Sequence, residues 1–293
     1  MAMSCKKRLQ GSIYYLLRHN KMGSYSTQYM RRSVLFQAAE TLVAGGYKLP
    51  HINGLKQKHV YFLVQQWNAE DLSTGTLKNR LAHVRAIADL IGKPDVVPSN
   101  EELGLPHRVY VTNQDKTERV KDGDMNKISD YRVKVQLNLQ RVFGLRHEES
   151  LKIKPYIADK TDHLFLEGSW CKGGRQRNIP IRTEEQRYWL NEAKTIAENA
   201  ARSLIPDDRK YIEYSRYFHR VIRAAGYKGS HGLRHQYAQE RYLELAGWAC
   251  PVKGGPSSQE LTDEQKKTDQ LVRHIITEEM GHSRIAILKI YCG

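Results

Sequence analysis

The sequence predicts a mainly α-helical protein of two domains, with one small antiparallel β-sheet in the second domain. Apolar residues recur with helical spacing over much of the 293-residue chain, beginning at residues 26–46. A polar stretch near residue 110 separates two regions that are each long enough to bury a core. Only "HLFLEGSWCKGGRQRNIPI" has the composition of short strands around a glycine turn, and it supplies the predicted sheet.

The N-terminal region predicts three helices. The first covers residues 26–46 and ends at Gly45-Gly46, and the second runs from about His59 to Trp67. A third begins at the candidate cap Ser73 or Thr74 and ends at Gly92-Lys93-Pro94. We therefore assign residues 1–108 to a helical domain, 109–122 to a linker and 123–293 to a second domain.

The second domain begins with an ambiguous pattern at residues 133–143. Val133, Val135, Leu137 and Leu139 alternate as in a strand, whereas Val135, Leu139, Val142 and Phe143 also share one helical face. Periodicity alone does not decide between them. Helices are predicted further on, around residues 189–200 and 211–222, and the Gly-, Pro- and charge-rich residues 247–270 are predicted to form a surface loop.

Composition limits the classes of function. No apolar run reaches the roughly 20 residues that cross a bilayer, and the N-terminus lacks the apolar segment of a signal peptide. The four cysteines have no metal-ligand spacing and are expected to be free thiols in a reducing compartment. The chain has 47 Lys and Arg against 32 Asp and Glu, a net charge of +15, which points to a polyanion such as nucleic acid.

The stretch "GSHGLRHQYAQERYLE" contains the first candidate site. Ser230 is a candidate N-cap, which places His231 in the first turn and Arg234 on the same helical face. An arginine and a histidine presented together suit a phosphate, although a surface arginine beside a capping histidine is the simpler interpretation. His231 and His235 have the spacing of a zinc pair, but the zincin glutamate is missing and Arg234 would repel a cation, so we expect no metal.

Four further features are found before and after this stretch. "FGLRHEESL" contains Arg146 and, three residues later, Glu149; Lys172 stands beside the Gly173-Gly174 turn; "GH" contains His282; and Tyr291 follows nine residues after it. Each has a simple explanation on its own, such as a helix-surface ion pair for Arg146 and Glu149 or a solvated hairpin residue for Lys172.

Together these motifs resemble the tyrosine recombinases, the integrase family of phages and mobile elements. The matching motifs lie between Arg146 and Tyr291, and the N-terminal helices resemble the family's core-binding, SAM-like domain. The resemblance implies an α+β catalytic domain and decides the ambiguity at residues 133–143 in favour of a helix ending at Arg146. It also implies a site-specific recombinase that cuts and rejoins DNA through a 3′-phosphotyrosine intermediate, without metal, ATP or another cofactor.

The resemblance implies a role for each matching residue. Arg146 and Arg234 would bind the nonbridging oxygens of the scissile phosphate, and His282 would add a hydrogen bond. Tyr291 would be the nucleophile, His231 its proton acceptor, and Lys172 the acid for the leaving 5′-oxygen. Glu149 would orient Arg146, and His235 would be structural. We expect further DNA contacts from basic residues of both domains, namely Lys78, Arg80, Arg85, Arg175 and Arg177.

Two features differ from the family pattern. Residues from Gly247 to about Lys267 are expected to be an insertion; a DNA-contacting loop, a contact between protomers and an inert surface loop are the alternatives, with the inert loop as the default interpretation. Only Cys292 and Gly293 follow Tyr291, too few to pack on a neighbouring protomer as the longer tails of many relatives do. A cyclic assembly would then need other contacts, or an exchange of the final helix itself between protomers. By the resemblance we expect double-stranded DNA with a specific attachment site, a tetramer on synapsed DNA, a monomer free in solution, no membrane, and a cytoplasmic, nucleoid-associated location in a bacterial or phage-infected cell.

Two other functions remain open from the sequence. A type IB topoisomerase uses the same Arg, Lys, His and Tyr chemistry to relax supercoiled DNA, although the helical N-terminal unit favours a recombinase. A DNA-binding relative that has lost its activity is the non-enzymatic alternative, against which the presence of all six catalytic residue types argues.

Overall fold

The computed structural model describes residues 4–111, 114–117 and 124–293. The chain forms two compact units, Met1–Val109 and Tyr110–Gly293. Of the expected linker at 109–122, residues 112–113 and 118–122 lie outside the described residues. Within the described ranges, no helix is long and apolar enough to cross a membrane.

The first unit is built from helices. They are α1 (Cys5–His19), α2 (Tyr25–Ala44), α3 (Gln57–Ala69) and α4 (Thr74–Leu90). Serine hydroxyls begin three of them, since Ser4, Ser24 and Ser73 each accept a hydrogen bond from the backbone three residues on. The core includes Leu9 of α1, Leu63 and Trp67 of α3 and Leu81 of α4. Helix α1 has no counterpart among the sequence predictions, whereas the three predicted helices are present.

The second unit is helical around a two-stranded sheet, which confirms the predicted fold class. Its elements are α5 (Tyr131–Phe143), α6 (His147–Lys152), α7 (Pro155–Ala158), β1 (His163–Leu166), β2 (Arg177–Pro180), α8 (Glu184–Ala197), α9 (Tyr211–Ala224), α10 (His231–Ala246), α11 (Asp263–Glu279) and α12 (Lys289–Cys292). Helix α5 packs against α8 and α10, and α10 also packs against α11 and α12.

Helix α5 explains the ambiguous pattern at residues 133–143. The helix is surrounded by protein, so that Val133 and Leu137 enter one core cluster while Val135 and Leu139 enter another. It ends at Phe143, three residues before the expected end, because Gly144 adopts a left-handed conformation with φ of 60°. Arg146 then stands at the N-cap position of α6.

The sheet is one antiparallel pair in which Leu166 faces Arg177 and His163 faces Pro180. The connection between the strands contains the 3₁₀ turns Gly168–Trp170 and Lys172–Gly174. Gly173 and Gly174 both have positive φ, as a tight turn requires. This turn is the predicted one, and it carries Lys172.

Two local predictions need correction. Ser230 precedes α10, but its side chain makes no capping hydrogen bond. The expected surface loop at residues 247–270 is partly helical, because Thr262 and Gln265 form a capping box that begins α11 at Asp263. Cys250 is completely buried in the same stretch, so this part of the loop belongs to the core.

Candidate active site

One cleft of about 660 Å³ in the second unit collects most of the predicted catalytic residues. Arg146, Lys172, His231, His282 and Tyr291 all line it, although the chain separates the first from the last by 145 positions. Glu149 and Arg175 line the same cleft, and so does Tyr211, which the sequence did not single out. A cationic cleft that also presents a phenol is suited to a phosphodiester.

A buried carboxylate joins two of the arginines. Glu149 has no exposed surface and accepts hydrogen bonds from Arg146 Nη1 at 2.7 Å and from the Arg146 backbone at 2.7 Å. The Arg177 guanidinium binds the same carboxylate bidentately, at 3.0 and 2.7 Å. Arg146 Nη2 also donates to the Gly281 carbonyl at 3.1 Å, so its guanidinium is held from both sides.

The charge state of Glu149 follows from these partners. Burial raises its pKa, but the hydrogen bonds from Arg177 and the charges of Arg177, Arg146 and Arg234 outweigh burial and lower the pKa to about 2. Glu149 is therefore ionised at neutral pH. It anchors Arg146 at the edge of the cleft, where the Arg146 side chain remains about one-fifth exposed.

The expected DNA contact at Arg177 needs correction. Its side chain is only 5% exposed, and besides Glu149 it binds the Glu279 carbonyl at 2.7 Å and Cys171 Sγ at 3.4 Å. The signal was present in the sequence, because Arg177 lies two positions before the buried Ile179 on the same strand and so points to the same face. Arg175, in contrast, is exposed and donates to the His282 carbonyl at 3.3 Å.

Arg234 differs from the expected position, because it lies beneath the cleft and does not line it. The residue is 1% exposed and donates to the carbonyls of Gly144 and Met280. Burial and the charge of Arg146 lower its pKa to about 10, which keeps it protonated at neutral pH. Within the described part of the chain its Nε has no hydrogen-bond partner.

Arg234 also sets the state of His282. Its Nη2 lies 3.1 Å from His282 Nε2, and since a guanidinium can only donate, Nε2 must accept. Burial and the charges of Arg234, Arg146 and Arg177 lower the pKa of His282 to about 3. The ring is consequently neutral at physiological pH and has its proton on Nδ1.

Tyr291 is 5% exposed and sits among three histidine rings. Its ring centroid is 4.3 Å from that of His235, 5.4 Å from His282 and 6.0 Å from His231. His231 is exposed and lines the cleft, whereas His235 is buried against the face of the phenol. His231 is therefore open to the cleft, whereas His235 packs against Tyr291 inside the protein.

The expected N-terminal DNA contacts have differing surroundings. Arg80 pairs with Glu70 at 3.1 Å and lies over the Trp67 ring, and Arg85 donates to Pro98 and Asn100. These two arginines thus support the fold of their own unit, while Lys78 is half-buried on the same helix. Among the residues that the structure describes, no group of three or more His, Cys, Asp or Glu could hold a metal ion.

Two family models match the chain. One, described as phage integrase, N-terminal, matches residues 6–97, and the other, described as integrase, matches residues 110–240. The chain belongs to the tyrosine recombinase family. A search of curated protein sequences found no match.

Solved structures of tyrosine recombinases share the fold. A lambda integrase dimer bound to a COC′ core site is 15% identical, with a TM-score of 0.62 over 97% of this chain and 76% of that one. The Tn1549 transposon integrase in complex with transposon right end DNA is also 15% identical, with a TM-score of 0.55 and coverage of 99% and 95%. XerH recombinase bound to difH is 14% identical, with a TM-score of 0.53 and coverage of 97% and 85%.

Proposed function

We propose that this tyrosine recombinase is an active site-specific integrase that cuts and rejoins DNA through a 3′-phosphotyrosine intermediate and moves a mobile element. The observation that carries the proposal is the shared cleft, in which Arg146, Lys172, His231, His282 and Tyr291 meet. These residue types supply charge neutralisation, an acid, a base and a nucleophile around a single phosphorus atom.

The arginines stabilise the charge that develops on the phosphate as it is attacked. Arg146, fixed by Glu149, contacts a nonbridging oxygen directly. His282 donates from Nδ1, because Arg234 occupies Nε2. Arg234 contributes its positive charge from below the cleft, where its guanidinium is buried. Donors and charges that are fixed in a low-dielectric site before the reaction often account for most of an enzyme's rate enhancement.

Tyr291 attacks phosphorus, so that a bond forms between the phenolic oxygen and phosphorus while the bond to the 5′-oxygen breaks. His231 takes the phenolic proton, and Lys172, on the exposed turn, protonates the departing 5′-oxygen. Attack by that 5′-hydroxyl on the phosphotyrosine reverses the exchange. The phosphodiester bond energy is retained throughout, so the step needs no metal or nucleotide.

The partner is double-stranded DNA with a specific attachment site, bound by both units. The net charge of +15 supports a polyanionic partner. The structural neighbours include a lambda integrase tetramer bound to a Holliday junction, and we extend tetrameric assembly on DNA to this chain. The match to the phage integrase N-terminal model favours a recombinase over a type IB topoisomerase.

Trapping the covalent intermediate tests the proposal. A duplex chosen by repeated selection for binding is nicked beside the scissile phosphate, so that the short cleaved strand diffuses away and religation fails. We expect a protein–DNA adduct that survives denaturation with the unaltered protein and none with Tyr291→Phe. Tyr211→Phe is the matched control, since Tyr211 also lines the cleft. An unaltered protein that binds this DNA yet forms no adduct would refute the proposal.

A further inference from the structure

The loop at residues 250–255, which we call the dock loop, is held in one conformation by its own hydrogen bonds and glycines. The Cys250 carbonyl accepts hydrogen bonds from the backbone of Lys253 at 2.9 Å and Gly255 at 3.1 Å. Gly254 has a φ of 83°, and a Cβ on Gly255 would stand 1.6 Å from the Ala249 carbonyl oxygen. Only glycine fits at Gly255, so the loop is closed tightly upon itself.

The dock loop packs against the segment that carries Tyr291. Helix α12 packs against the turn Pro251–Lys253, and Cys250 and Cys292 are both completely buried in the same core cluster. A Cβ on Gly293 would lie 3.0 Å from Pro251 Cβ and 3.2 Å from the Val252 nitrogen, which leaves no room for a side chain there. Helix α12, which carries Tyr291, and the Gly293 that follows it are therefore both in contact with the dock loop.

A polar relay connects the dock loop to the backbone of Tyr291 itself. Lys253 Nζ lies 2.6 Å from Asp115 Oδ2, and Gln239 Nε2 donates to Asp115 Oδ1 at 3.2 Å. The same Gln239 nitrogen donates to the Tyr291 carbonyl at 3.1 Å. Gln239 is 4% exposed, so its amide is shielded from water, and losing either acceptor would leave a buried donor unsatisfied.

Such support is needed because α12 spans only Lys289–Cys292. A four-residue helix has no stability of its own, so its position must come from tertiary contacts. The next part of the insertion behaves differently, since residues 257–260 are exposed to solvent. The dock loop, which depends on glycine and includes the buried Cys250, is the half that contacts the segment carrying Tyr291. An inert surface loop would need neither the buried cysteine nor this contact.

We infer that the dock loop, together with Lys253, Asp115 and Gln239, positions Tyr291 by holding its segment against α10 of the same chain. These are positioning residues, which act through the backbone around the nucleophile and do not touch the phosphate. The inference rests on the proposed function only for the role of Tyr291; the docking itself is independent of DNA chemistry.

Alkylation of Cys292 by iodoacetamide measures docking without any activity assay. Peptide mass spectrometry follows each thiol, with partly exposed Cys5 as the reactive standard and buried Cys171 as the standard for an intact fold. We expect Cys292 to react about tenfold faster in Gly255→Ala. In Lys253→Met it should react about fivefold faster, because this substitution removes about one net hydrogen bond that holds the segment. Lys266→Met, which removes an exposed lysine paired with Asp263, is the control and should not change the rate.

Two outcomes decide the inference. Faster alkylation of Cys292 with unchanged Cys171 supports it, and equal Cys292 rates in Lys253→Met, Lys266→Met and the unaltered protein overturn it. If Gly255→Ala also accelerates Cys171, that variant has lost its fold and Lys253→Met gives the decision.

The rate of adduct formation at saturating DNA provides the second readout. Lys253→Met should slow adduct formation at saturation by at most about fivefold, beyond any loss of DNA affinity, because fewer molecules hold Tyr291 in place. An unchanged saturated rate would contradict a positioning role. If the unaltered protein forms no adduct, the proposed function fails while the alkylation result still decides whether the loop docks the segment.

Discussion

Glu149 is the residue on which the arrangement of the arginines depends. It receives Arg146 on one side and Arg177 on the other, in a site with no exposed carboxylate surface. Residue types and their order along the chain were enough to predict the partnership with Arg146, three positions away. They did not predict Arg177 as the second partner, because the pairing spans 28 positions and joins a residue of β2 to a residue of α6.

Arg177 and Arg175 are close in sequence, but their surroundings predict that replacing the first affects stability and replacing the second affects DNA binding. Arg177→Met should lower the free energy of unfolding by about 3–5 kcal/mol, because it leaves a buried carboxylate short of a partner. Arg175→Met should cost less than about 0.5 kcal/mol and should weaken DNA binding instead, since Arg175 is exposed beside the cleft. Urea unfolding and DNA titration measure the two quantities. A stable Arg177→Met variant with weakened DNA binding would instead support Arg177 as a DNA contact.

His147 predicts how stability depends on pH. Burial and the charge of His219 lower its pKa to about 4, so the unfolded chain binds the proton more readily than the folded one. The stability that neutral His147 contributes is fully present above about pH 6.5 and is lost as the pH falls toward 4. His282 adds to the loss down to about pH 3.

Replacing His147 by glutamine should reduce this dependence by up to about 1.4 kcal/mol per pH unit between pH 6.5 and 4. Calorimetric unfolding across that range measures the slope. His274→Gln, an exposed histidine paired with Glu278, is the control and should leave the slope unchanged. Equal slopes for the unaltered protein and His147→Gln would exclude His147 as a source of acid sensitivity.

At the scale of elements, α5 shows why periodicity was insufficient. Gln136, Asn138 and Gln140 of this helix are buried and hydrogen-bonded within the protein, so its polar residues do not mark a solvent-facing side and give no clear 3.6-residue period. The family resemblance predicted the helix, and the glycine that ends it was visible in the sequence. Helix α1 and the buried half of the 247–270 stretch were missed; the dock loop is fixed by contacts with Asp115 and with helix α12, far away along the chain.

The burial of α5 predicts a large cost for truncating it. Leu139→Ala should lower the free energy of unfolding by about 2–5 kcal/mol, because Leu139 is completely buried in the core cluster of the second unit. Leu243→Ala is the matched control, since Leu243 is 51% exposed on α10 and should cost less than about 0.5 kcal/mol. Chemical denaturation of both variants tests the comparison. Similar losses in the free energy of unfolding would mean that Leu139 of α5 is not part of a packed core.

At the scale of the whole molecule, the positive charge predicts salt-sensitive DNA binding. Each phosphate contact releases counterions, and a footprint of six or more contacts should weaken binding by about a thousandfold or more between 50 and 200 mM salt. Titration of one duplex at several salt concentrations measures the slope. Binding that hardly changes with salt would argue against a wide phosphate footprint.

The convergence of residues 146 to 291 on one phosphate is the central claim, and identifying the amino acid bonded to DNA tests it most directly. The trapped adduct is digested with protease and nuclease, and the modified peptide is sequenced by mass spectrometry. We predict a 3′-phosphonucleotide on Tyr291 and a free 5′-hydroxyl on the other strand end. A nucleotide attached to Tyr211 or any other residue, or a linkage through a 5′-phosphate, would contradict this mechanism.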